Sequence, residues 1–432
     1  MSDSARKTPG WPSVAVAWLT PRRLRTQAVI LALCLWGVCA VDFATPGFFD
    51  RAGNIKFQDF LPFYVSARLI AQGRARELYD QRVIANEIES TVDQVSRRQP
   101  TRVLLPNLYG PQVGLLLVPL ARLPFQTAAW IWVALSLLGF SVCIYLVWKS
   151  CPSLRSYSRL VAISAIGFPP LFHFFVRGQI SVLLLACFAA GFMAFRADRG
   201  WLAGIALGFL IFKPQFLMAV PLVLLLGRAW KVLAGLVVSA AAQLAFARLY
   251  FGSAVMRAYF DTMWHISRWI GAAELNLAPI QMHSLRSFWT LLIPWPHAAL
   301  AIYILSSVFV VAMTAAVWKS SSPLALRFSA LTLAAVLVNA HLFVYDLLVL
   351  APVLLLLVDW TLANPQNPHS NALQLLCYLA FVLPLFGPLS RWTHVQLSVP
   401  VFVALLWILW RQSANLAATP GHKLASLDSP VV

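Results

Sequence analysis

Asp59, Arg177, Gln179, Lys213, His341 and Asp346 are the side chains whose chemistry least suits an otherwise apolar sequence. Asp59 opens the stretch DFLPFYVSARLIAQGRARELYD. A carboxylate there reads in two ways: as the cap of the helix that follows, with Pro62 tolerated in the first turn, or as a proton acceptor. Asp42, at the end of the first apolar run, and Asp50, able to pair with its neighbour Arg51, are rivals for the second role. Lys213 interrupts two apolar runs in FKPQF, where an unpaired ammonium is costly, so it reads as a functional group or as one that snorkels to the surface. Arg177 and Gln179 belong to the junction HFFVRGQ, either a capped turn or a ligand contact. His341 and Asp346, in NAHLFVYD, do not share a helical face well; a satisfied histidine and a helix cap are the alternatives to a site. Asp261, His265, Glu274 and His283 lack metal-ligand spacing and read as a solvated loop anchored by Trp264 and Trp269.

The elements that must position these groups are membrane helices. With 60% hydrophobic and 11% charged residues over 432 positions, the chain carries more apolar surface than a soluble globule of its size can bury. The expected fold is an all-α polytopic membrane protein. Its net charge of +18 punctuates the apolar runs instead of covering one soluble face, which speaks for topology and anionic lipid and against nucleic acid. The six cysteines fall in apolar runs or at their ends, without metal spacing, and no structural disulfide is expected. The first run lacks a signal-peptide cleavage pattern and is expected to stay as an anchor.

Windows of about 20 residues mark about twelve runs, near 27–46, 124–148, 159–175, 179–195, 201–212, 216–227, 231–249, 292–318, 325–340, 342–359, 372–389 and 396–410. The positive-inside rule places the basic amino terminus (1–26), Lys149 with Arg155, Arg196 with Arg199, Arg228 with Lys231, Lys319 with Arg327, and the tail 411–432 in the cytoplasm. The membrane domain is then 27–410. Two long extracytoplasmic segments, 47–123 and 250–291, fall on the other side with all the chemically rich junctions. Within the first, Phe60, Phe63, Tyr64, Ala67, Ile70 and Ala71 recur at helical spacing, which suggests an interfacial helix ended by Gly73. Asp80 is expected to cap a second, more polar helix, and Pro106, Pro111, Pro119 and Pro124 to interrupt the chain beyond it. Runs 201–212 and 216–227 are too short to span as straight helices and should be broken or recessed around Lys213.

DFLPFYVSARLIAQGRARELYD, then YGPQVGLLLVPLARLPFQTAAWIW, FVRGQISVLLL, AGIALGFLIFKPQFLMAVPLVLLLGRAWK and HLFVYDLLVLAPVLL, in that order, resemble glycosyltransferase family 87. The resemblance implies a GT-C membrane fold in a bacterial cytoplasmic membrane. It implies a polyprenyl-phosphate-linked sugar donor, as in mannosyltransferases that use polyprenyl-phosphate mannose, and a glycolipid or glycan acceptor. Its catalytic base, an Asp of the first extracytoplasmic loop, matches Asp59, and its active-site His matches His341. On these positions the chemistry is coherent. Asp59 would take the acceptor's proton, Lys213, Arg177 and His341 would cradle the departing phosphate, and Gln179, Gln215, Tyr64, Tyr345 and Asp346 would meet sugar or acceptor. No clustered acidic site for a metal is visible, so inversion without a metal or other cofactor is expected. The rival class is a transporter with a site at broken helices; the polar residues' concentration on one side and the lack of an internal repeat of the 201–227 pair speak against it.

Overall fold

In the computed structural model, residues 16–93, 107–277 and 281–418 are described. Arg6, Lys7, Pro106, Lys423 and the side chains of Trp269 and Glu274 lie outside the described residues. Among the described residues all regular structure is helical, with two isolated bridges, Phe49 to Ile55 and Met282 to Phe343. Six helices among the described residues are long and apolar enough to cross a membrane, or seven if the bent pair Pro152–Ile166 and Pro169–Arg177 is one span. Shorter apolar helices, among them Ser181–Arg196 and Leu324–Leu337, account for the remaining runs near the site. Of the roughly twelve apolar runs expected, several are shorter helices or are cut at Pro, Gly and Lys213, too short to cross as single straight helices.

The first long helix is α1 (Pro21–Phe43), capped by the Thr20 hydroxyl. The segment after it carries α2 (Leu61–Ala71), α3 (Gln81–Asp93) and α4 (Pro111–Leu117), then α5 (Phe125–Lys149) returns through the bundle. α2 forms over the stretch where the helical spacing suggests it, and it is wrapped by protein on most sides. Leu61, Val65 and Ala67 are fully buried, and even Ser66 is covered, because α3, α4 and the turn at Leu120–Arg122 enclose the helix. The charges beside it close that enclosure: Arg68 pairs with Glu87 of α3, and Arg74 reaches Glu87 at 2.7 Å and Glu77 at 2.6 Å. These partly exposed pairs fix register more than they stabilise. Left-handed Gly73 ends α2, and Asp80 caps α3 by accepting the Arg82 N–H at 2.9 Å.

Next come α6 (Ser158–Ile166), α7 (Pro169–Arg177), α8 (Ser181–Arg196), α9 (Gly200–Gly208) and α10 (Val220–Leu226). Between α9 and α10 two 3-10 turns, Phe209–Phe212 and Pro214–Leu217, meet at Lys213, so the chain breaks where the lysine stands. α11 (Trp230–Leu277) packs backbone to backbone on α9: a Cβ on Gly204 would meet the Val232 carbonyl at 2.0 Å, and one on Gly235 the Trp201 carbonyl at 2.3 Å. α11 is redirected at Gly252 (φ 86) and runs on to Leu277, so most of 250–291 is helix and not an irregular loop. The His265 ring meets its own helix's Asp261 carbonyl at 2.8 Å. His283, expected in solvent, is fully buried with Nδ1 2.7 Å from the Ser398 hydroxyl. Beyond it the chain forms α12 (Leu285–Leu292), α13 (Pro296–Lys319), α14 (Leu324–Leu337), α15 (Leu350–Ala363) and α16 (Ser370–Val382).

α5 and α8 orient the molecule. α5 starts at Phe125, stacked on Phe48, and ends at Lys149, whose carbonyl accepts from Arg155. α8 starts at Ser181, bonded to Asp346, and ends at Arg196, which donates to Ser150. The basic junctions and the chemical groups therefore occupy opposite ends of the same helices.

Candidate active site

Asp59 sits in the 3-10 turn Gln58–Phe60 and caps nothing; the N-cap position of α2 is Phe60, which has no side-chain capping bond. Its carboxylate instead faces the α7–α8 junction. Gln179 Nε2 donates to Asp59 Oδ2 at 2.8 Å, and Arg177 Nη1 lies 3.9 Å from Oδ1 and 3.4 Å from Gln58 Oε1. The rivals are occupied elsewhere. Asp42 accepts the Arg51 N–H at 3.1 Å, and Asp50 accepts that of Asn54 at 2.8 Å, as turn-forming aspartates do. Burial holds the Asp59 carboxyl above the ordinary carboxylate range, partly offset by Arg177, the Gln179 hydrogen bond and Lys213.

Local backbone makes this meeting possible. Phe57, just before the turn, is left-handed (φ 57) and is held among Phe43, Trp130 and Phe175. Gly178 is left-handed too (φ 68), and a Cβ there would lie 3.0 Å from the Cβ atoms of both Phe57 and Phe60. Only glycine satisfies both demands and still sends Arg177 and Gln179 to the same carboxylate. The Gln179 carbonyl is fixed by Trp132 Nε1 at 3.2 Å, and Trp132 stacks on Phe60. Gly178→Ala is therefore expected to cost about 1–2 kcal/mol and to lower activity further by separating the turn from the junction. Thermal midpoint and activity of purified protein check this, and a variant equal to wild type in both would contradict it.

Behind Asp59 lies a second layer. Lys213 Nζ contacts both carboxylate oxygens of Asp346, at 2.6 and 2.7 Å, and Asp346 also accepts the Ser181 hydroxyl at 2.7 Å. The pair is buried, with 5% of the lysine side chain and none of the aspartate's exposed. Aromatic rings surround the ammonium: Tyr345 at 5.6 Å, Tyr109 at 5.8 Å and Phe216 at 6.0 Å. Burial pushes the Tyr109 hydroxyl up to about 12, so it stays a neutral donor. Asp59, Arg177, Gln179, Lys213, Tyr345 and Asp346 thus converge, although the assigned tasks shift. Gln179 holds the carboxylate, and Asp346 is saturated by Lys213 and Ser181, which leaves it little capacity for a sugar hydroxyl.

Other expected members stand apart. Tyr64 is buried in the core of the 47–123 segment with its hydroxyl given to the Leu123 carbonyl at 2.8 Å. His341 packs edge-on against Phe343, which stacks on Tyr345, and so borders the cluster through that aromatic run. Gln215 follows Lys213, with its Oε1 buried and without a hydrogen bond. Tyr109, Ser181 and Gln58 were not singled out from sequence. Tyr109 stood in the quoted YGPQ stretch; Ser181 and Gln58 are common polar residues that only the fold brings into place.

No curated protein and no solved structure matches the chain. Residues 107–349, more than half of it, match glycosyltransferase family 87. That stretch contains Tyr109, Arg177, Gln179, Lys213, His341 and Asp346, while Asp59 precedes it. Several apolar helices, a convergent polar site at one end of the bundle and this match agree: the chain belongs to glycosyltransferase family 87 and is a multi-pass membrane glycosyltransferase.

Proposed function

We propose that the protein transfers a sugar, with mannose the foremost candidate, from a polyprenyl-phosphate carrier to a hydroxyl of a glycolipid or glycan. The reaction is assigned to the extracytoplasmic face of a bacterial inner membrane. The observation that carries the reading is a carboxylate held by Gln179 and Arg177 beside the buried Lys213–Asp346 pair, at the end opposite the basic junctions. Asp59 takes the proton of the acceptor hydroxyl as that oxygen bonds to the anomeric carbon. The bond from that carbon to the phosphate oxygen breaks, its electron pair stays on phosphate, and a β-linked donor gives an α-glycoside.

Arg177 is the better placed of the two cations to receive the leaving group. Its side chain is one-third exposed (33%) and only loosely paired with Asp59, whereas Lys213 is consumed by Asp346. Lys213 and His341 then act behind and beside the phosphate, with the Lys213–Asp346 pair holding the cradle's shape. Arg177→Gln is expected to weaken donor use about 10- to 100-fold, the worth of a charged hydrogen bond, with Arg177→Lys partly restoring it. Steady-state kinetics with varied donor check this, and unchanged donor dependence would remove Arg177 from the cradle.

Purified protein in vesicles, offered polyprenyl-phosphate mannose, polyprenyl-phosphate pentoses and nucleotide sugars with a glycolipid acceptor, tests the function. Mass spectrometry should find mannosylated acceptor and free polyprenyl phosphate. Transfer from nucleotide sugars alone, or movement of unmodified solute without product, would contradict the reading.

A further inference from the structure

At the basic end, far from Asp59, two cavities adjoin. One of about 420 Å³ lies between α1, α6, α15 and α16, and is lined by apolar side chains such as Leu24, Ala28, Val161, Ala165, Leu355 and Phe381. The other, about 400 Å³, is lined by Arg22, Arg25 and Arg159 with the hydroxyl-bearing Ser156, Tyr157 and Ser158. Pro21, Tyr157 and Leu160 line both, so a basic mouth opens onto an apolar groove. Among the described residues no carboxylate lines either cavity. Volumes of this size are those of small-molecule sites.

The mouth is also built and placed. Asp359 Oδ1 accepts the N–H groups of Ser153 (2.7 Å) and Leu154 (3.2 Å), tying the turn that leads to Arg159 onto α15. The Tyr378 hydroxyl donates to Gln27 Oε1 at 3.1 Å, joining α16 to α1 within the groove. Beside the mouth, Arg23 lies 4.4 Å over the exposed Trp18 ring, the pairing of aromatic and cation found at headgroup depth. The functional chemistry described above uses none of these residues.

We propose that this is a binding site for one anionic glycerophospholipid of the leaflet at the basic end, its phosphate on Arg22, Arg25 and Arg159 and one acyl chain in the groove. A groove without the arginines would take any chain, and arginines without the groove would take any anion. Their continuity selects a molecule with both parts, and basic pockets between membrane helices recognise such headgroups.

The test is native mass spectrometry of the full-length protein incubated with phosphatidylglycerol, phosphatidylcholine, glycerol 3-phosphate or a polyprenyl phosphate at equal concentrations. Phosphatidylglycerol should be retained in preference to the other three. Retention should fall about fivefold per arginine in Arg22→Gln, Arg25→Gln and Arg159→Gln, and Ala165→Phe should lower it by filling the groove. The arginines are exposed, so their replacement leaves the thermal midpoint near wild type and decides the matter even if Ala165→Phe misfolds. Equal retention of phosphatidylcholine, an unaltered triple variant, full competition by glycerol 3-phosphate, or preference for the polyprenyl phosphate would each overturn the assignment.

Discussion

Lys213→Ala is expected to destabilise the protein by about 3–5 kcal/mol, because it leaves the Asp346 carboxylate charged and fully buried with only two neutral donors, the Ser181 hydroxyl and the Phe343 N–H, and no cation. Asp346→Ala should be similarly damaging from the other side, by stranding an ammonium among Tyr109, Phe216 and Tyr345. The double variant Lys213→Met with Asp346→Leu should recover most of the loss. Removing both charges also removes the desolvation that the pair must overcome, and such replacements are often neutral. Thermal midpoints of the three variants in one detergent check the cycle. A Lys213→Ala protein within about 1 kcal/mol of wild type, where surface pairs fall, would show that the two charges do not depend on each other. The same cycle separates shape from chemistry. If the refolded double variant regains stability without activity, the pair also acts on the substrate; if it regains both, the pair is scaffolding.

Asp59→Asn is expected to lower turnover by about 10²- to 10⁴-fold, the usual contribution of a general base, with little change in stability. Asparagine keeps the acceptor oxygen that Gln179 bonds, and no helix cap is lost. Asp50→Asn, which touches only its own turn, is the control. The pH profile carries the same information. A base works only when ionised, so activity falls as pH drops through the Asp59 pKa. Burial raises that pKa, and the acid limb should lie above the ordinary value of about 4. Gln179→Leu removes a hydrogen bond that favours the ionised form, and Arg177→Gln removes a favourable charge, so each should move the limb further up. A limb that ignores both changes would belong to another group.

Sequence signals were legible where they depend on few neighbours. Long apolar runs such as 27–46 and 124–148 declare their helices, because a membrane rewards about 20 apolar residues whatever surrounds them. The break at Lys213 was legible for the same reason: a lysine and a proline cannot sit unnoticed between two apolar runs. Asp59 was legible only as two alternatives; the fold sets the cap aside and places Gln179, distant in sequence, against its carboxylate. The pairing of Lys213 with Asp346 was illegible, since no local pattern links residues on separate broken helices. The enclosure of α2 was illegible, because an amphipathic period is the same for a helix lying on a bilayer and one wrapped by its own loop. The burial of Tyr64 in the loop's core, with its hydroxyl on the Leu123 carbonyl, was illegible for the same reason.

The role of Asp59 as base is tested best by single-turnover sugar transfer from a saturating polyprenyl-phosphate sugar, comparing wild type with Asp59→Asn protein of matched thermal midpoint. Wild type is expected to yield glycosylated acceptor and released polyprenyl phosphate. The variant is expected to bind donor equally well, with transfer slowed by about 10²- to 10⁴-fold. Transfer by the variant within a few-fold of wild type, or no consumption of any lipid-phosphate donor by wild type, would contradict this mechanism.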